Sequence, residues 1–279
     1  MFGVILVSIG ALFGEIYDSI GKNKVESREQ SLYTMAFLSL FWGTFFFAAA
    51  SIVKNDLFIF RLDSLPTFSI RAILEIIQSY FSVFAIVQAD RTTFSFLRII
   101  TIPLLLLADL FLGYKLGLFG IIGVSIIILT MLILFFRKEI KKKGAGVVVF
   151  TAVNAVFTIS LFKYNIVHFN SVVAEQLLIH IILLVTFFLF AFIKIKENPF
   201  VFLTKPVFIL QSASVGLGSI IESFAYNYGV ASLITAAKRS AAMFWSLLSG
   251  RHYFQEKNII FKILVSSALI VGLVFLAIN

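Results

Sequence analysis

Long apolar blocks separated by short polar gaps run the whole length of the chain. A helix that crosses a bilayer needs about 20 mostly apolar residues. Ten blocks qualify: 2–20, 32–53, 66–87, 92–112 and 116–136, then 145–163, 171–193, 206–228, 230–249 and 259–278. None shows the apolar/polar alternation of a membrane barrel strand, so the pattern predicts an all-α integral membrane protein of ten transmembrane helices. The most polar run begins at Arg137 and ends at Gly146, close to the midpoint. It divides the chain into a first five-helix repeat (1–136), a basic linker (137–144) and a second five-helix repeat (145–279).

Several gaps are too short for anything but a hairpin. Block three runs into block four through Gln88, Ala89, Asp90 and Arg91, block four into block five across Gly113, Tyr114 and Lys115, and block eight into block nine across Tyr228 and Gly229. No gap is long enough to fold into a soluble domain. Placing the first half on the second aligns Thr93 with Thr235, Leu105 with Leu247, Lys115 with Lys257 and Ser125 with Ser267. An odd number of spans per repeat forces the two halves into opposite orientations, the inverted-repeat arrangement of many secondary transporters.

Composition agrees with lipid as the solvent. The chain is 60% hydrophobic and 13% charged, with 34 Phe and a mean hydropathy of +1.04, where soluble domains carry about 25% charged residues. The net charge of +9 does not point to nucleic acid, because the basic residues gather in the gaps. With no cysteine and three scattered histidines, no disulfide, thiolate or metal site is expected. The first block lacks a basic leader and a small-residue cleavage site, so it reads as a spanning helix rather than a signal peptide.

Charged residues inside the blocks are the candidate chemistry. Each costs about 2.5–3.5 kcal/mol near a bilayer centre unless it meets a partner or water. Glu15, Arg71, Glu75, Arg98, Glu222, Lys238 and Arg239 fall in this class, with Asn154 as a neutral hydrogen-bonding candidate. Arg71, Glu75, Gln78 and Ser82 share one helical face, and Arg91, Ser95, Arg98 and Asp109 share another. Lys238 and Arg239 diverge by about 100° around their helix, which favours Arg239 as the residue facing the axis. The bland alternative for Arg71 and Glu75 is mutual neutralisation at i, i+4. Glu222 can simply balance Lys238 or Arg239, and Glu175, Gln176 and His180 read as residues near a membrane boundary. Gly10 and Gly14 read as a small-residue helix contact.

The stretch from Glu222 to Lys257 carries Ala237-Lys238-Arg239-Ser240-Ala241, then Leu247-Leu248-Ser249-Gly250 and Phe254-Gln255-Glu256-Lys257. It resembles the end of the second repeat in EamA-type proteins of the drug/metabolite transporter superfamily. Ala11-Leu12-Phe13-Gly14 resembles that family's opening, and Pro103 with Phe111-Leu112-Gly113-Tyr114-Lys115 resembles its proline and following loop, although Tyr114 stands where the family usually has Glu. The resemblance implies a ten-helix permease with a central cavity between its repeats, and no particular substrate.

Loop charges and the resemblance disagree about orientation. The gaps after blocks one, five and seven are rich in Lys and Arg, and the positive-inside rule makes them cytoplasmic with both termini outside. The resemblance implies termini inside. Signatures such as HExxH, GxSxG and GxxxxGK[ST] are absent, so neither an enzyme nor an ATP-driven pump is expected, and no cofactor is implied. The function expected is secondary transport of a small organic molecule across the inner membrane by alternating access. Arg98, Lys238 and Arg239 would attract a carboxylate or phosphate, and Glu75, Glu222 or Glu15 a proton or organic cation. The partners expected are that substrate, protons and membrane lipid, without nucleic acid, in a monomer or a homodimer. The alternatives are a flippase for a lipid-linked sugar or similar amphiphile, and a membrane assembly protein that transports nothing.

Overall fold

The computed structural model describes residues 2–53, 57–111, 117–136, 142–252 and 259–278, and these contain helices and no strand. Tyr114 and Lys115, most of the basic linker, Lys54 and the Phe254–Lys257 motif lie outside the described residues. The helices are α1 (Phe2–Glu26), α2 (Leu32–Val53), α3 (Leu65–Gln88), α4 (Arg91–Arg98), α5 (Thr101–Phe111) and α6 (Leu118–Phe136). After the linker come α7 (Ala145–His168), α8 (Val172–Leu189), α9 (Pro206–Ala225), α10 (Ala231–His252) and α11 (Ile259–Ile278).

Seven segments are long and apolar enough to cross a membrane: Phe2–Glu26, Leu32–Val53, Leu62–Gln88, Thr93–Phe111, Ala145–His168, Val172–Ile195 and Pro206–Tyr228. Shorter apolar stretches lie in α6 (Leu118–Thr130) and α11 (Ile263–Gly272). The chain is a multi-pass membrane protein of the all-α class. Large apolar side chains such as Phe45, Ile73, Leu129 and Val185 project outward, as a lipid-facing surface requires.

Two expectations need correction. The block 92–112 is not one helix: α4 stops at Arg98 and α5 begins at Thr101. A continuous helix would hydrogen-bond residue 103 to the Ile99 carbonyl, but Pro103 has no N–H and its ring clashes with that carbonyl. The Ile99 carbonyl instead accepts from the Ile102 N–H at 2.8 Å. In consequence Asp109 leaves the face of Arg91 and Arg98, and its carboxylate accepts from the Ser232 N–H at 2.9 Å, beside the start of α10. The first block also continues to Glu26 rather than ending near 20, which places Asp18 two turns inside α1.

Short capping motifs fix the two ends of the bundle. The Ser31 hydroxyl accepts from the Thr34 N–H at 3.2 Å where α2 starts, and the Ser171 hydroxyl accepts from the Ala174 N–H at 3.2 Å where α8 starts. Pro66 and Pro206 occupy the first turns of α3 and α9, where a missing N–H costs nothing. The α1–α2 loop is tied to the segment before α9, because Ser31 and Thr34 both donate to Glu197. At the other end, Ser171 donates to the Leu57 carbonyl at 2.5 Å and Asn170 accepts from the Arg61 N–H at 2.9 Å.

Within the bundle α1 packs on α9 and α10, α2 on α8 and α9, α3 on α7, and α6 on α11. The α1–α9 crossing is close because Gly10 and Gly218 meet there: a Cβ on Gly218 would lie 2.9 Å from the Gly10 carbonyl oxygen. Gly14, one turn on, has open space before it. Gly10 therefore serves the helix contact, and Gly14 makes room for a cavity.

Candidate functional site

A cavity of about 270 Å³ lies between α1, α2, α4, α8, α9 and α10. It is walled by Gly14 and Asp18 of α1, Ser95 of α4, His180 of α8, Gly218 and Ser219 of α9, and four cations: Arg91, Arg98, Lys238 and Arg239. Of the residues singled out by sequence, Glu15, Arg98, Glu222, Lys238 and Arg239 line it.

Two of the cations are paired. Arg91 is 1% exposed and grips Glu15 with a two-pronged fork, at 3.2 Å from Nε and 2.6 Å from Nη2, while Nη2 also reaches Asp18 at 2.8 Å. Glu15 further accepts from the hydroxyls of Ser19, at 3.0 Å, and Ser249. Such a fork and its extra donors supply the hydrogen bonds that burial takes from a carboxylate. Lys238 forms a short ion pair with Glu222.

The other two cations have no such partner. Among the described residues no carboxylate lies within 4.0 Å of Arg98 or Arg239; the Nε of each is buried without a hydrogen bond, as are Arg91 Nη1 and Arg71 Nε. Arg239 is 5% exposed. Arg98 sits in the last turn of α4, just before the break, with its guanidinium 5.2 Å from the centre of the Phe94 ring. Arg91 lies over the same ring at 5.4 Å, so Phe94 serves both guanidinium groups through cation–π attraction. With Arg91, Arg98, Lys238 and Arg239 against Glu15, Asp18 and Glu222, the wall carries one more formal positive charge than negative.

Arg71, Glu75 and Asn154 lie outside this wall. Arg71 donates to Glu175 at 2.8 Å and to Gln176 at 3.0 Å, with Glu75 at 3.6 Å and the Phe162 ring 4.6 Å beneath it. Glu175 also accepts from Asn165 at 2.7 Å and Asn170 at 2.6 Å. Asn154 bridges α7 to α3 through the Leu74 carbonyl at 3.0 Å and Gln78 at 2.8 Å. These residues make a separate polar node joining α3, α7 and α8. Glu175 is fully buried in the first turn of α8, and His180 is 7% exposed on the cavity wall.

Sequence reasoning left Asp18, Arg91 and His180 out of the site. Asp18 lies three residues from Glu15 and shares its helical face. Arg91 belongs to the polar stripe of Ser95 and Arg98, although it seemed to lie in a hairpin turn. For His180, whose Nδ1 has no hydrogen bond and whose ring meets Phe47 edge-on at 5.4 Å, no local signal existed. No protein-family model and no curated protein matches the chain, so what is said of its activity rests on this geometry.

Proposed function

We propose that the chain is a secondary transporter of small organic anions, working by alternating access between two inverted five-helix repeats. The observation that carries this is the pair Arg98 and Arg239: two guanidinium groups on the wall of one cavity inside a membrane protein, each with no carboxylate within 4.0 Å among the described residues, where every other cation on the wall has one. A purely structural interior would pair or replace them, because an uncompensated charge away from water is costly. A phosphate or carboxylate monoanion placed between them would bring the wall to formal neutrality and use guanidinium donors suited to planar, two-pronged recognition.

Packing supports ten crossings and an inverted repeat. Under such a repeat α1 corresponds to α7, α2 to α8, α3 to α9, and α4 with α5 to α10. The contacts pair accordingly: α1 on α9 with α7 on α3, and α1 on α10 with α7 on α4 and α5. The α2–α8, α10–α4 and α6–α11 contacts join corresponding helices. Ser31 and Ser171 cap α2 and α8 alike, and Pro66-x-Phe68 and Pro206-x-Phe208 open α3 and α9 alike. The broken α4–α5 segment beside the cavity fits the discontinuous helices of transporter sites. On this reading the chain is a carrier of the EamA type, resident in the inner membrane, that performs no covalent step.

The test is a thermal-shift panel on detergent-purified protein, with sugar phosphates, amino acids, nucleobases and polyamines, repeated on Arg239→Gln. A ligand at a hundred times its Kd adds about 2.7 kcal/mol to stability. An organic anion is expected to raise the melting temperature of wild type and not of the variant. Stabilisation by polyamines alone, or an equal shift in both proteins, overturns the proposal.

A further inference from the structure

A second, larger hollow adjoins the central cavity. It is a groove of about 590 Å³ between α1, α9 and α10. Its apolar walls are Leu12, Ile16 and Ile20, spaced by four along one face of α1, with Leu210 of α9 and Trp245 and Leu248 of α10. Leu210 and Leu248 are 55% and 51% exposed on helices that pack into the membrane bundle, so hydrocarbon is what they meet. The groove runs from mid-helix toward the end of the bundle that holds Asn23 and Lys24.

Its floor is not apolar. Glu15, Ser19 and Ser249 line it, both hydroxyls donate to Glu15, and Glu15 is the one residue common to the walls of groove and cavity. A groove that only held annular lipid would gain nothing from polar groups at its base, where lipid tails can satisfy none of them. Here they stand between hydrocarbon on one side and the Arg98–Arg239 pair on the other.

We infer that the groove is the entry and chain-binding site for a single-chain anionic amphiphile taken from the bilayer: the alkyl chain lies along Leu12, Ile16, Leu210 and Leu248, and the phosphate or carboxylate head passes the Glu15–Ser249 contact to reach Arg98 and Arg239. This rests on the anion-carrier reading of the central cavity and specifies its substrate class. As the head crosses, the Ser19 and Ser249 hydroxyls turn their single hydrogens from Glu15, which Arg91 still holds, to the head, so that it is never bare in hydrocarbon. One negative charge is what the wall accommodates, so a monoester phosphate carrying one charge or a carboxylate fits better than a neutral or cationic lipid.

Trp245 reports on the groove directly, because the chain has only one other tryptophan, Trp42, and that lies outside the groove. In nanodiscs of unlabelled lipid, Trp42→Phe protein is titrated with dodecyl phosphate brominated at the chain end, and separately with the matching brominated alcohol. The phosphate is expected to quench Trp245 to a plateau, the alcohol only in proportion to its concentration. The double variant Arg98→Gln/Arg239→Gln is expected to lose the plateau, and butyl phosphate to reverse it in the parent. If Trp42→Phe fails to fold, the difference between wild type and Trp245→Phe gives the same signal. Phosphate and alcohol quenching alike, while butyl phosphate still raises the melting temperature of wild type and not of the double variant, overturns the groove and leaves the anion site standing. No plateau and no shift with either phosphate overturns both.

Discussion

Two clusters of buried charge sit in the same apolar bundle and are built on opposite lines. In the node of α3, α7 and α8, Glu175 takes Arg71, Asn165 and Asn170, and Arg71 spans Glu175 and Gln176. Gln176 in turn donates to Ser223 at 2.7 Å, which carries the network onto α9. In the central cavity, Arg98 and Arg239 have no carboxylate within 4.0 Å among the described residues. Both clusters contain arginines within spanning helices, so the residue type does not distinguish scaffold from site. Ion pairing does: an arginine with a carboxylate against it holds helices together, and one without waits for a ligand.

The contrast predicts opposite responses to neutralisation. The largest effect is expected at Glu175→Ala, which takes the nearest carboxylate from Arg71 and an acceptor from Asn165 and Asn170; breaking a buried pair from one side costs about 3–5 kcal/mol, and the variant should lose its melting transition or its yield of folded protein in detergent. By comparison Arg98→Gln and Arg239→Gln remove a charge that no described carboxylate pairs within 4.0 Å, so their melting temperatures should equal or exceed that of wild type while response to anions is lost. A destabilised Arg239→Gln with intact anion response would erase the distinction.

Glu15→Gln falls between the two, since Glu15 belongs to the cavity wall but is itself fully partnered. Loss of its charge leaves Arg91 with Asp18 alone, and a cost of about 1–3 kcal/mol is expected for the weakened charge-assisted bonds, read as an earlier melt together with weaker anion binding. Asn154→Ala removes two neutral bonds between α7 and α3. Such bonds in membrane proteins average about 0.6 kcal/mol, so a small stability loss and unchanged anion response are expected from melting curves.

The smallest effect is expected outside the membrane. Hydrogen bonds from Lys24 and Ser27 hold the exposed Glu29 carboxyl below its usual range. A lowered carboxyl contributes stability above its unfolded pKa and loses it as pH falls through the folded value. Wild type should therefore melt marginally later than Glu29→Gln near neutrality, with the curves merging on acidification and at high salt.

Much of the fold was legible because lipid imposes it. Apolar runs long enough to span show directly in the sequence, and the start of α2 at Leu32 and of α9 at Pro206 follow from the capping serine at Ser31 and the proline itself. The break after Arg98 was less visible, since Pro103 can kink a helix or end it and its neighbours are uniformly apolar. Half of the site was legible for the same reason that charge in a block is conspicuous: Arg98, Glu222, Lys238 and Arg239 needed no structure to be noticed. What sequence could not supply was partnership. Arg71 looks like Arg98 until Glu175, more than a hundred residues away, is seen to close it. Asp18 lies close to the expected end of block one and Arg91 in the gap before block four, yet α1 extends to Glu26 and Arg91 opens α4, which brings the two together within the wall.

The central claim is that Arg98 and Arg239 bind an anion that the protein then carries across the membrane. The most direct measurement is the charge displaced in proteoliposomes on a solid-supported membrane when an anion that stabilises the purified protein is rapidly added. Wild type is expected to give a saturating current that Arg98→Gln/Arg239→Gln abolishes and Asn154→Ala leaves intact. A current of equal size in the double variant, or none in wild type with any stabilising anion, would contradict the claim.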